Sequence, residues 1–156
     1  MSNKFTEETK IVFRDFDPAA NNTLTAAGIT SNWIDMKDYH RITAIAFRTV
    51  GTGKVQAAAL KVSATANGAS AQTVVSAGST NATGSLVDAT AAKTATSGCG
   101  IVVLDATADE CAAALSGGRY VGLLLSCATA TDEFGVIYIL SQPRYAASGL
   151  TATDNG

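Results

Sequence analysis

The chain is poor in charge and in histidine, and each scarcity removes a class of function. Charged residues make up only 15% of 156 and the net charge is −2, so the dense basic footprint of a nucleic-acid binder is missing. The one histidine, His40, has no second imidazole with which to share a zinc ion, and no cysteine spacing substitutes for it. No apolar run approaches the roughly 18 residues of a membrane helix. Met1 to Lys10 is polar and lacks an apolar core segment, so no secretory signal is expected. The expectation is therefore no nucleic acid and no membrane among the partners. Cys99, Cys111 and Cys127 are odd in number and widely spaced. They read as buried or free thiols of a protein made in a reducing compartment, not as a disulfide framework.

What is present is a chain sized for one domain, able to bury about 70% of its unfolded surface. Ala and Thr together supply roughly a third of the residues, and an alanine methyl buries little apolar area. A surface of small residues with few charges suits close protein–protein contact.

The strongest structural signal lies between Ile101 and Tyr145. Gly118–Thr129 and Glu133–Arg144 both alternate, and Ala130, Thr131 and Asp132 form a short polar junction, so a hairpin is expected. Val121, Leu123, Leu125 and Cys127 share one face of the first run, and Phe134, Val136, Tyr138 and Leu140 share one face of the second. Leu124, Ile137 and Ile139 on the opposite faces mark central strands. A second hairpin is expected from His40–Val50, Gly51-Thr52-Gly53 and Lys54–Ala64. Lys10–Phe16 reads as the first strand, ended by Asp17-Pro18. Asn32–Tyr39 reads as a short strand carrying Trp33, and Gln72–Ser76, Ser85–Asp88 and Ile101–Asp105 as further strands. Thr107–Leu115 is the one helix candidate: Thr107 caps it, Glu110 sits three residues on, and Gly117-Gly118 ends it. Seven or eight short strands with one helix near 107–115 predict an all-β, mainly antiparallel fold, a β-sandwich or jelly roll with extended termini. The divisions expected are an N-terminal arm over 1–9, a single body over 10–145 and a loose tail over 146–156.

The search for chemistry returns little. His40 stands at a strand start without a nucleophile elbow near it. Asp35 and Asp38 read as solvated positions, and Asp109 and Glu110 as first-turn residues that meet a helix dipole. Gly98-Cys99-Gly100 and Gly117-Gly118 lack the Lys-Ser/Thr of a phosphate loop. Trp33, Tyr39, Phe47 and Tyr138 lack interleaved basic residues and are assigned to the core. No catalytic, cofactor-binding or metal-ligating residue is expected, and no enzyme.

The segments NKFTEETKIV (3–12), WIDMKDYHRITAIAF (33–47) and SQPRY (141–145) resemble small proteins encoded beside the major capsid protein of tailed bacteriophages. That resemblance implies a capsid cement or decoration protein: a multi-copy virion component on the capsid surface, made in the host cytoplasm, without enzymatic activity. Its partners would be the major capsid protein and itself, as a homodimer or homotrimer. Lys4, Phe5, Arg14, Arg144 and Tyr145 are the contact residues this reading singles out, the aromatics as anchors and the arginines as bidentate donors. The alternatives are a tail-tube, neck or head-completion protein, and a carbohydrate- or receptor-binding β-sandwich with Trp33 or Tyr39 exposed.

Overall fold

The computed structural model describes residues 9–16, 28–50, 55–77, 85–87, 101–127 and 133–144. Ten strands and one helix run through them. The first half holds β1 (Thr9–Asp15), β2 (Ile29–Thr30), β3 (Ile34–Asp35), β4 (Tyr39–Val50) and β5 (Val55–Ser63). The second holds β6 (Gln72–Ala77), β7 (Ser85–Val87), β8 (Ile101–Thr107), α1 (Ala108–Ala114), β9 (Tyr120–Cys127) and β10 (Glu133–Pro143). All ladders are antiparallel and form two sheets, β1-β10-β4-β8-β7 and β2-β9-β5-β6, with β3 also on β9. The protein is an all-β sandwich.

The pairings have a simple order. Strands β1, β2 with β3, β4 and β5 pair respectively with β10, β9, β8 and β6. The chain is thus one long antiparallel ribbon, doubled back after β5 and wrapped so that successive segments fall in alternate sheets. The β10–β4 and β5–β9 ladders close the wrap.

Alternation places the core where the sequence predicts. Ile42, Ala44 and Ala46 of β4, Val102 and Leu104 of β8, and Val136, Tyr138 and Leu140 of β10 point inward from the first sheet. Leu60 and Val62 of β5 and Val121, Leu123, Leu125 and Cys127 of β9 meet them from the second. Strands β9 and β10 are central, each flanked on both sides.

The two expected hairpins do not form. β9 and β10 lie in opposite sheets, as do β4 and β5. Alternation fixes which face of a strand is buried but not which strand lies beside it. Here the inner faces of each pair are both apolar and fill the same core, so the strands stack across it. The junctions 51–54 and 128–132, outside the described residues, are long enough for the roughly 10 Å between sheets, at about 3.3 Å per residue.

Asn32–Tyr39 is also not one strand. Only Ile34 and Asp35 pair with β9. The chain then turns, with Lys37 N–H donating to Asp35 Oδ1 (2.9 Å) and Tyr39 N–H to Met36 O (2.9 Å), before β4 begins. The helix matches its reading. Thr107 Oγ1 accepts from Glu110 N (3.2 Å) and Glu110 Oε2 accepts from Thr107 N (2.8 Å), a complete capping box. Gly117, at φ +74°, follows its end. Of the expected arm over 1–9, Thr9 already belongs to β1 and residues 1–8 lie outside the described residues, as does the tail over 146–156.

Candidate interaction surface

The two outer faces of the sandwich differ in chemistry. On the second sheet, the outward row Ala57–Ser126 is followed by Ala59–Leu124–Thr30 and by Lys61–Gly122. Lys61 Nζ donates to Thr73 Oγ1 at 2.7 Å. That face is small and polar around Ala57 and Lys61, and its large side chains are Leu124, which sits over Gly28, and the half-buried Trp33, which sits over Gly122.

The first sheet presents the reverse. Register places Phe13, Ile137, Ile45 and Val103 side by side in one row across four strands. Ile11, Ile139 and Thr43 follow on one side, with Asp105 at the end of that row. Gly135, Phe47 and Ile101 line up on the other, with Asp15 at the β1 end of that row. These positions alternate with the buried Val12, Val136, Ala44 and Val102, so they point away from the core. The central residues are half-buried by one another, but Phe13 is 69% exposed and Ile11 46%.

Two local features shape this face. A Cβ on Gly135 would stand 2.9 Å from Phe47 Cζ and 3.2 Å from Cε2. The Phe47 ring therefore lies flat over the β10 backbone, a use of a strand glycine that keeps the surface level. At one border runs the polar row Thr9–Ser141–Arg41–Thr107. There Arg41 Nη2 donates to Asp105 Oδ2 at 2.5 Å, pairing two charges at this border. With strands about 4.8 Å apart and about 3.3 Å per residue, the apolar rows cover roughly 450 Å². An apolar patch of several hundred Å² is the usual mark of a surface that another molecule covers.

The contact residues expected from sequence do not converge on this face. Lys4, Phe5 and Tyr145 lie outside the described residues. Arg14 is on β1 with its Nη1 donating to Phe13 O (3.3 Å), and it lines a cleft of about 360 Å³ with Trp33, Asp35, Lys37 and Tyr39. Arg144 stands at the far end of β10. Its backbone N–H donates to Asp38 O (2.9 Å) and its Nε to Tyr39 O (3.3 Å), so it clasps the start of β4. Arg14 pairs with Val136 in register, eight positions before Arg144, roughly 26 Å along the strand.

The groups considered for chemistry are likewise dispersed. His40 is exposed at the beginning of β4. Asp35 accepts from Arg119 through Nε (3.0 Å) and Nη2, and that guanidinium stacks 4.9 Å over the Tyr120 ring. Among the described residues no three His, Cys, Asp or Glu side chains gather as a metal site would require. Also among them, no helix is long and apolar enough to cross a membrane. Trp33 is half-buried over Gly68 and Gly122, and Tyr39 is buried.

Comparison with family models, with curated proteins and with solved structures returns no match to this chain.

Proposed function

We propose that this is a non-enzymatic structural protein of a phage particle, a cement or decoration protein that binds the capsid exterior and bridges capsomers. The observation that carries the assembly role is the outer face of the first sheet, apolar across four strands, set against an opposite face where small and polar residues surround only Leu124 and Trp33. A side chain such as Phe13, 69% exposed on an edge strand, is a liability in a solitary molecule and an asset where a protein surface covers it.

The virion setting rests on the sequence resemblance and on the strand order. β1-β10-β4-β8 facing β2-β9-β5-β6, built from four ribbon pairs wrapped in alternation, supports reading the sandwich as a jelly roll, a fold used in viral shells. Many weak contacts suffice for such a role, because a molecule engaging two capsomers binds the second at high effective concentration. The N-terminal Lys4–Phe5 segment and the Arg144-Tyr145 segment are the proposed capsid contacts.

The test is quantitative mass spectrometry of particles purified from the phage whose genome carries this coding sequence. Hundreds of copies per particle are expected, and cryo-electron microscopy should place them outside the shell. A few copies, or a ring multiple, would instead assign a neck or tail role. Particles devoid of the chain would overturn the virion reading.

A further inference from the structure

We propose that the apolar outer face of the first sheet is a self-association surface, on which two copies pack face to face about a twofold axis. The contact is argued from the chain alone; its use in bridging capsomers rests on the function proposed above.

Among the described residues β1 is an edge strand, and such an edge invites a partner strand. Its inward positions, however, are Lys10, Val12 and Arg14. Charges pointing inward from an edge strand are a device by which sheets discourage edge-to-edge pairing. A partner is therefore steered to the face, where Ile11 and Phe13 project, and away from the edge.

The face then suits a copy of itself. It is level, because Phe47 lies over Gly135, and level sheet faces pack on each other about 10 Å apart. Its central row, Phe13–Ile137–Ile45–Val103, carries no charge. Of the charges around that row, Arg41 and Asp105 bond each other at 2.5 Å, and Asp15, in register with Gly135, stands at the edge-strand end of its row, so the centre of two facing copies would bring no charge against charge.

The area is also adequate. Apolar rows and polar border together span roughly 550 Å² on each copy, about 1,100 Å² for the pair, which passes the size expected of a specific contact. A twofold contact uses the same patch on both copies and closes on itself, so it yields a dimer and stops.

The experiment is sedimentation velocity on the full chain over a concentration series. The wild type should sediment as a dimer. Phe13→Glu and Ile11→Lys, both at exposed positions, should raise the dissociation constant at least about tenfold by forcing a charge into the contact. Ala57→Glu, on the polar outer face, should leave the dimer intact, and circular dichroism melts should show all three variants folded. A wild-type monomer at about 100 µM, a trimer, or a dimer indifferent to Phe13→Glu and Ile11→Lys would overturn the proposal. A monomer that still decorates particles would sink the dimer and spare the virion role; a dimer that never loads onto particles would do the opposite.

Discussion

The Tyr138 hydroxyl lies 2.5 Å from Ser31 Oγ, and both oxygens accept from the same backbone amide, Leu123 N–H, at 2.7 and 3.1 Å. Tyr138 projects from the first sheet, whereas Ser31 and Leu123 belong to the second, where Ser31 N–H also donates to Leu123 O (2.9 Å). One phenol therefore crosses the core and docks on the opposite sheet's backbone. The polar atoms are satisfied if Tyr138 donates to Ser31 and Ser31 donates onward to Asn32 O (3.3 Å). Such a satisfied network within an otherwise apolar core specifies how the two sheets face each other.

Removing that hydroxyl should be felt in stability. Tyr138→Phe leaves the buried Ser31 with one partner fewer, a loss of about 1–2 kcal/mol in urea unfolding at pH 7. Burial also holds the Tyr138 phenol well above its ordinary value near 10, against the smaller opposing pull of its hydrogen bonds. The fold thus binds this proton more tightly than the unfolded chain. Its contribution is complete below pH 10 and is lost above it, at up to about 1.4 kcal/mol per pH unit. Tyr138→Phe should flatten the decline above pH 10 without abolishing it, because burial and Asp38 also raise Tyr39. An unchanged alkaline slope in the variant would contradict this assignment.

Trp33 offers a second measurable contact. Gly68, at φ +74°, lies so near the indole that a Cβ there would stand 2.3 Å from Cε2 and Cζ2. Gly68→Ala combines left-handed backbone strain with a clash that only movement of Trp33 relieves. The expected cost is about 2 kcal/mol, with a red shift of the single tryptophan's emission as the ring is displaced toward water. Preserved emission and stability would show that the Asn67-Gly68 turn yields in place of the ring.

How much of this was legible beforehand follows from what alternation encodes. Period two marked the buried faces of β4, β9 and β10 residue by residue, and the Thr107–Glu110 spacing marked the helix start. Neighbours were not legible, because Val121 and Val136 look equally suited to sharing a sheet or facing each other across the core. The apolar outer face was half visible. Ile137 and Ile139 were noticed, but an apolar second face reads equally as a strand covered on both sides. The missing signal was collective: Ile11, Phe13, Ile45, Phe47, Ile101 and Val103 repeat the pattern on strands that no third layer covers among the described residues. The Tyr138–Ser31 contact joins residues 107 positions apart in sequence, and no local pattern announces it.

Cys111 closes the set of predictions, because its chemistry is set by its position. It lies on the buried side of α1 at 1% exposure. Burial, with Glu110 beside it, pushes the thiol up to about 11 from an ordinary value near 9. At pH 8 the folded protein then holds roughly a hundredfold less thiolate at this position than the unfolded chain. Labelling of Cys111 by an aromatic disulfide reagent, located by peptide mapping, should be at least about a hundredfold slower in the native protein and should accelerate with denaturant. The linkage has the same sign as for Tyr138: a folded value above the unfolded one gives stability that is present below pH 9 and fades as the pH rises toward 11. Cys111→Ala should therefore flatten the stability profile between pH 9 and 11 while leaving the decline at higher pH, where the tyrosines titrate. Fast native labelling of Cys111 at pH 8 would mean that α1 opens readily, and would refute the tight packing described here.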